Sequence, residues 1–179
     1  AYSDSARHYH NLKHIQEVLN LIEEVKDLSD RFAVIQLSAW FHDYVYDSQA
    51  QDNEVRSAVY AEKILNTLSI SPDIIQLIKQ IILSTEKHQP LIESVDNLIF
   101  LDADFSILGT STDKYLKYAQ AIRQEYSYLS DRDYQQGRKQ VLINFFARDR
   151  IYYTDYFYRK LESSARDNLQ AEITAITNN

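Results

Sequence analysis

The chain contains no cysteine. That excludes disulfides and thiolate metal sites, and it suits a reducing, cytoplasmic compartment. Glycine and proline occur only twice each. So few breakers favour long helices over a many-stranded sheet. No apolar run reaches the ~20 residues of a membrane span, and no signal-peptide pattern is visible. Positive charge is in deficit: 19 Lys and Arg stand against 26 Asp and Glu, a formal net charge of -7. An acidic chain is a poor binder of nucleic acid or anionic membrane, so neither is an expected partner. An anionic substrate would need a local cationic device, either a metal ion or an arginine cluster.

What is present suits one domain over residues 1–179 with a sizeable core. Hydrophobic residues make up 45% and charged ones 25%, as in ordinary globular chains. Fourteen tyrosines are many. Several are expected to bury the ring and keep the hydroxyl wet, and a Tyr-rich surface hints at a homo-oligomer. The chain opens on Ala1 rather than Met, so a trimmed start is expected.

Periodicity predicts an all-α domain of seven to nine helices, without repeats or linkers. After an extended polar opening to Arg7, Leu12, Ile15, Val18, Leu19, Ile22 and Val25 recur at helical spacing. A second helix, capped by Ser29 or Asp30, carries Phe32 to Phe41 and is apolar most of the way round, hence central and buried. A third runs from Asn53 to Leu68 with Val55, Ala58, Val59, Ala61, Ile64 and Leu65 inward. Ser71-Pro72-Asp73 starts a fourth, to about Lys87. Leu98 to Leu108 forms another, closed by Gly109 as a left-handed cap. Ser111 or Thr112, Ser130 and Thr154 start three more, ending near Tyr128, near Arg148 and in a frayed 177–179.

Three apolar segments carry metal-ligand chemistry. His10 and His14 are four apart and share one helix face. Zinc proteases use this spacing with a glutamate after the first histidine. Asn11 stands there instead, so the protease reading fails; otherwise the pair is two surface or capping histidines. His42 and Asp43 end the second helix. Neighbours diverge by about 100°, yet both can reach an ion beside a helix end. The plainer alternative is a histidine complementing the helix dipole beside an exposed acid. Asp102 and Asp104 lie in a strongly apolar helix, about 200° apart. One can face an ion; the other should meet an arginine or a backbone donor, and two buried ion pairs are the alternative. His88 is an added ligand, a phosphate-side donor or a plain helix-end histidine. Glu54, beside Asn53, is a ligand candidate or an ordinary first-turn acid.

Histidine, then His-Asp, then a distant aspartate on helices resembles the HD superfamily of metal-dependent phosphohydrolases. Arg7 to Ile15, Phe41-His42-Asp43, Asn53-Glu54 with Ser57-Ala58, and Leu101-Asp102-Ala103-Asp104 through Gly109 look like a bacterial branch of predicted HD phosphohydrolases. Gly137-Arg138, Arg148 with Ile151-Tyr152, and Glu162 with Ala165-Arg166 and Asn168-Leu169 look like the same branch, so the likeness covers nearly the whole chain. Tyr9-His10-Asn11 with His14 is also similar to the cyclic-nucleotide phosphodiesterases, where the first histidine is the general acid and the second binds metal. Their last metal aspartate lies in an Ala-Asp-Leu-Ser context, which Ala103-Asp104-Phe105-Ser106 follows apart from the phenylalanine. The resemblance therefore implies His14, His42, Asp43 and Asp104 as ligands and His10 as the acid. This chain is shorter than a phosphodiesterase domain and lacks its nucleotide clamp, so the cyclic-nucleotide substrate does not carry over.

Two histidines and two carboxylates suit Mn, Fe, Co, Ni or Zn, as one or two ions. The implied reaction is hydrolysis of a small phosphomonoester or nucleotide by metal-activated water. Arg7, Arg123, Arg138, Arg148 and Arg166 are candidates for the phosphate or for pairing Asp102. Asn11 and Asn53 are candidates for supporting contacts. If His88 also binds metal, Asp43 is the expected bridge. That histidine equally keeps open a di-iron oxygenase, which some superfamily members are. A non-catalytic nucleotide- or metal-sensing module is the third reading.

Overall fold

The computed structural model describes residues 1–178. Among them are α1 (Leu12–Glu24), α2 (Phe32–Phe41), α3 (Asn53–Thr67), α4 (Pro72–Leu83), α5 (Val95–Asp104), α6 (Thr112–Glu125), α7 (Asp131–Phe146) and α8 (Asp155–Asn178). Two short 3₁₀ segments, Lys26–Leu28 and Phe105–Gly109, complete an all-α chain without strands among the described residues. The helix count lies in the predicted range, and most ends fall within a few residues of their predicted places, as ends do. Of the fraying expected over 177–179, Asn179 lies outside the described residues; α8 itself runs to Asn178. No described helix is long and apolar enough to cross a membrane.

The chain divides into two compact units, 1–104 and 105–179. In the first, α2 packs against α1, α3, α4 and α5, the central place its apolar surface predicts. Val34, Ile35, Ser38 and Ala39 are buried, but Trp40 is 45% exposed, so the helix is central without being buried all round. Neither Ser29 nor Asp30 caps it. Asp96 of α5 instead accepts Ser29 Oγ (2.8 Å) and the Asp30 and Arg31 amides (3.0 and 3.3 Å). On α3, Ala58, Ala61 and Leu65 face inward, whereas Val55 and Val59 are exposed.

The opening residues are not extended. Tyr2 is buried, its hydroxyl donating to Trp40 O at 2.6 Å, and residues 1–7 fold through turns at Asp4 and Arg7. A tyrosine in a polar stretch found the open carbonyl end of α2.

In the second unit, α8 packs on α7 and on Phe105–Gly109, which also meets α6. Asn168 fastens that segment, donating to Leu108 O and Thr110 O at 2.9 Å each. Gly109 is no left-handed cap, since neither glycine has a positive φ. It is needed for proximity: a Cβ there would stand 2.6 Å from Leu161 Cβ and 2.7 Å from Leu161 O.

Candidate metal centre

Asn11 begins the site. Its side chain accepts from Lys13 N (2.9 Å) as the N-cap of α1, and its amide donates to Arg7 O and His8 O. His10 therefore lies in the turn before the helix and His14 in its first turns. The two rings still converge, their centroids 6.1 Å apart, though through the cap rather than one helical face. His42 is the C-cap of α2 and is buried. Its Nδ1 pairs with Ala39 O at 2.9 Å. A carbonyl only accepts, so Nδ1 carries a hydrogen, and in the neutral ring Nε2 holds the lone pair. Asp104 is the last residue of α5.

These elements bring four side chains together. His14 Nε2 and His42 Nε2 face one another at 3.4 Å. Asp104 Oδ1 lies 3.1 Å from the first and 3.3 Å from the second. Asp43 Oδ2 lies 3.0 Å from His42 Nε2 and 3.8 Å from His14 Nε2. Two ligands about 2.1 Å from one ion stand roughly 3.0–3.4 Å apart at octahedral or tetrahedral angles. The observed edges, His14–Asp43 excepted, fall in that range. His14, His42 and Asp104 form the one set of three or more such groups, among the described residues, that could hold an ion. These imidazole and carboxylate donors could therefore hold a metal ion.

No known protein family, curated protein or solved structure matches this chain.

Electrostatics tie the group together without an ion. Burial lowers the pKa of His42, but the Asp43 and Asp104 carboxylates outweigh it and hold the imidazole well above 6.5. Burial raises Asp43, yet His42, His10 and His14 bring its carboxyl below the usual range. Asp104 behaves alike: burial raises it, while His42, His14 and His88 hold it well below 3.8. In the metal-free protein this cluster should then contribute most stability between pH 3.8 and 6.5, the ordinary carboxylate and imidazole values. Above 6.5, stability is lost as pH rises through the raised His42 pKa; below 3.8, it is lost as pH falls through the depressed carboxylate values. A metal ion held there would take the place of the His42 proton, so added metal should remove the alkaline loss. Thermal unfolding from pH 4 to 9, with and without Mn or Zn, checks this; a metal-free protein equally stable at pH 6 and 9 contradicts it.

Arg7 is buried and holds the backbone of this site. Its Nη1 donates to Asp43 O at 2.6 Å and its Nη2 to Tyr44 O at 2.9 Å. It closes the carbonyl end of α2 where His42 and Asp43 sit. Arg7→Met should cost about 2–3 kcal/mol, since bonds from a charged donor are worth roughly 1.5–3 kcal/mol, and should weaken metal binding. Urea unfolding checks the first part; an unchanged midpoint counts against the clamp.

Two residues outside the candidate site set shape the site, although Ser57 lies in one of the segments that carry the resemblance. Ser57 of α3 grips both Val45 N (3.0 Å) and Val45 O (3.2 Å). Tyr46, on the same loop, stacks on His10 with ring centroids 4.2 Å apart. Asn53 takes part by clasping Asp47, accepting from its amide (3.0 Å) and donating to its carbonyl (2.9 Å). Glu54 lies in the first turn of α3, outside the His14–His42–Asp104 set. Asp102 is buried on α5 and is also outside it. His88 reaches the group's edge, its Nε2 3.6 Å from Asp104 Oδ2.

The other four candidate arginines make contacts within the second unit. Arg123 binds Tyr126 O, Leu129 O and Asp131. Arg138 forms a buried fork on Glu172 at 2.8 and 3.1 Å. Arg148 lies 4.4 Å from the centre of the Phe145 ring. Arg166 binds Glu162, which also accepts the Ile151 and Tyr152 amides.

Proposed function

We propose that the protein is a metal-dependent phosphohydrolase of HD type, acting on a small phosphomonoester or nucleotide. The supporting observation is the meeting of His14, His42, Asp43 and Asp104 from α1, the end of α2 and the end of α5. Two helices and the end of a third bring imidazole and carboxylate groups together in the order that the resemblance implies.

When bound, the metal would lower the pKa of a water and offset phosphate charge. His14, His42, Asp43 and Asp104 would hold it. The Ala39 carbonyl keeps the His42 lone pair on Nε2. Arg7 keeps the Asp43 peptide in place. His10 would carry a proton on its ring for the departing oxygen, with Tyr46 holding the ring plane by stacking. Tyr9 stands edge-on to His10 with centroids 5.1 Å apart.

The test begins with protein stripped by chelator and reloaded separately with Mn, Fe, Co, Ni and Zn. Phosphate release is then read across phosphomonoesters and nucleotides. Metal-restored turnover of at least one ester is expected. A protein that binds metal but releases phosphate from none of them overturns the reading, and oxygen consumption by the iron form would replace it with an oxygenase.

A further inference from the structure

His88 has a backbone conformation that its side chain does not favour. Its φ is 47°, one of two positive values at non-glycine residues among the described residues; the other is Ser69 at 56°. Both occupy the same place in the same turn. After α3, Ile70 N bonds to Leu65 O and Ser69 N to Asn66 O. After α4, Gln89 N bonds to Ser84 O and His88 N to Thr85 O. This is the six-to-one and five-to-two pairing that ends helices with a left-handed residue, normally glycine. A side chain there is a cost to the backbone.

The turn holding His88 is fixed from several sides. Ser84 and Asn97 are buried. Ser84 Oγ accepts from Leu91 N (3.1 Å) and from Asn97 Nδ2 (3.1 Å), and Asn97 Nδ2 also reaches Ile92 O (3.2 Å). Thr85 ties its hydroxyl to Ile82 O at 2.7 Å. Left-handed strain persists only where the surroundings enforce it, and here they do. The two strained residues differ in what they face. Ser69 is exposed. His88 places Nε2 3.6 Å from Asp104 Oδ2, the oxygen turned away from the histidine pair, while Oδ1 faces His14 and His42.

We propose that His88 is a positioning residue: it engages the outer oxygen of Asp104 and so turns the inner oxygen onto the metal. This rests on the metal-centre reading above. An outer partner of a ligating carboxylate fixes its orientation, and losing such a partner typically weakens metal binding about 10- to 100-fold.

The experiment measures Zn and Mn affinity and stoichiometry, by competition with a chromophoric chelator, for wild type, His88→Gly, His88→Gln and Ser69→Gly. Glycine suits both turns, so neither glycine variant should unfold; circular dichroism confirms it. Expected is one ion in every protein, with His88→Gly weakened about 10- to 100-fold. Ser69→Gly should equal wild type. His88→Gln, which keeps an N–H donor on a comparable reach, should recover part of the loss. Wild-type affinity in His88→Gly overturns the positioning role and leaves the metal centre standing. Two ions in wild type and one in His88→Gly also overturn it, making His88 a ligand. No uptake by wild type overturns the metal centre and this role together.

Discussion

Asp104→Asn is expected to leave the protein folded and to strip it of metal. The change keeps shape and volume but replaces a charged oxygen ligand by a weak amide. Asp104 Oδ1 touches both histidine Nε2 atoms, at 3.1 and 3.3 Å, so it completes the candidate set from the α5 side. Metal binding of order 12 kcal/mol shared by about four ligands amounts to roughly 3 kcal/mol each, or ~10²-fold in affinity. Elemental analysis of the purified variant should show little metal, and phosphate release should recover only in excess metal. Asp102→Asn is the matched control, buried on the same helix but outside the group. Retained metal in Asp104→Asn with loss in Asp102→Asn would move the ligand two residues upstream.

His10→Ala should do the reverse. Metal should stay at wild-type content, because His10 is not in the His14–His42–Asp104 set, while turnover falls about 10²–10⁴-fold. The size should depend on the leaving group. An alkyl phosphate needs a proton on its departing oxygen, so it should show the full loss. A nitrophenyl phosphate leaves as a stable anion and should lose far less. Equal losses on both esters would count against proton donation. Loss of metal in His10→Ala would exchange the roles of His10 and His14.

The fold was legible where local chemistry governs. Ser130 accepts an amide hydrogen at the start of α7, and Pro72 opens α4. These depend on a few adjacent residues, which a sequence shows directly. The ligand candidates were legible for a related reason: His42-Asp43 and Asp104 place costly polar groups in apolar segments. Such groups need partners wherever the chain folds.

Partner identity was not legible, because it depends on which distant groups arrive. Arg7 could have met a phosphate, yet it closes the carbonyls at the end of α2. Arg138 could have faced a substrate, yet it forks onto Glu172. Val55 and Val59 match the helical period, but no neighbour covers them. Gly109 is explained by the backbone of Leu161 lying against it, a long-range contact that no local pattern announces. By itself, the sequence determined an all-α chain and which residues could ligate metal, since propensity, capping and the cost of burying charge act locally. Only the tertiary structure decided that His14, His42, Asp43 and Asp104 meet, that Asp96 rather than Ser29 serves the start of α2, and that His88 stands behind Asp104. Those outcomes depend on how helices far apart in sequence pack, and packing is chosen by the whole core at once.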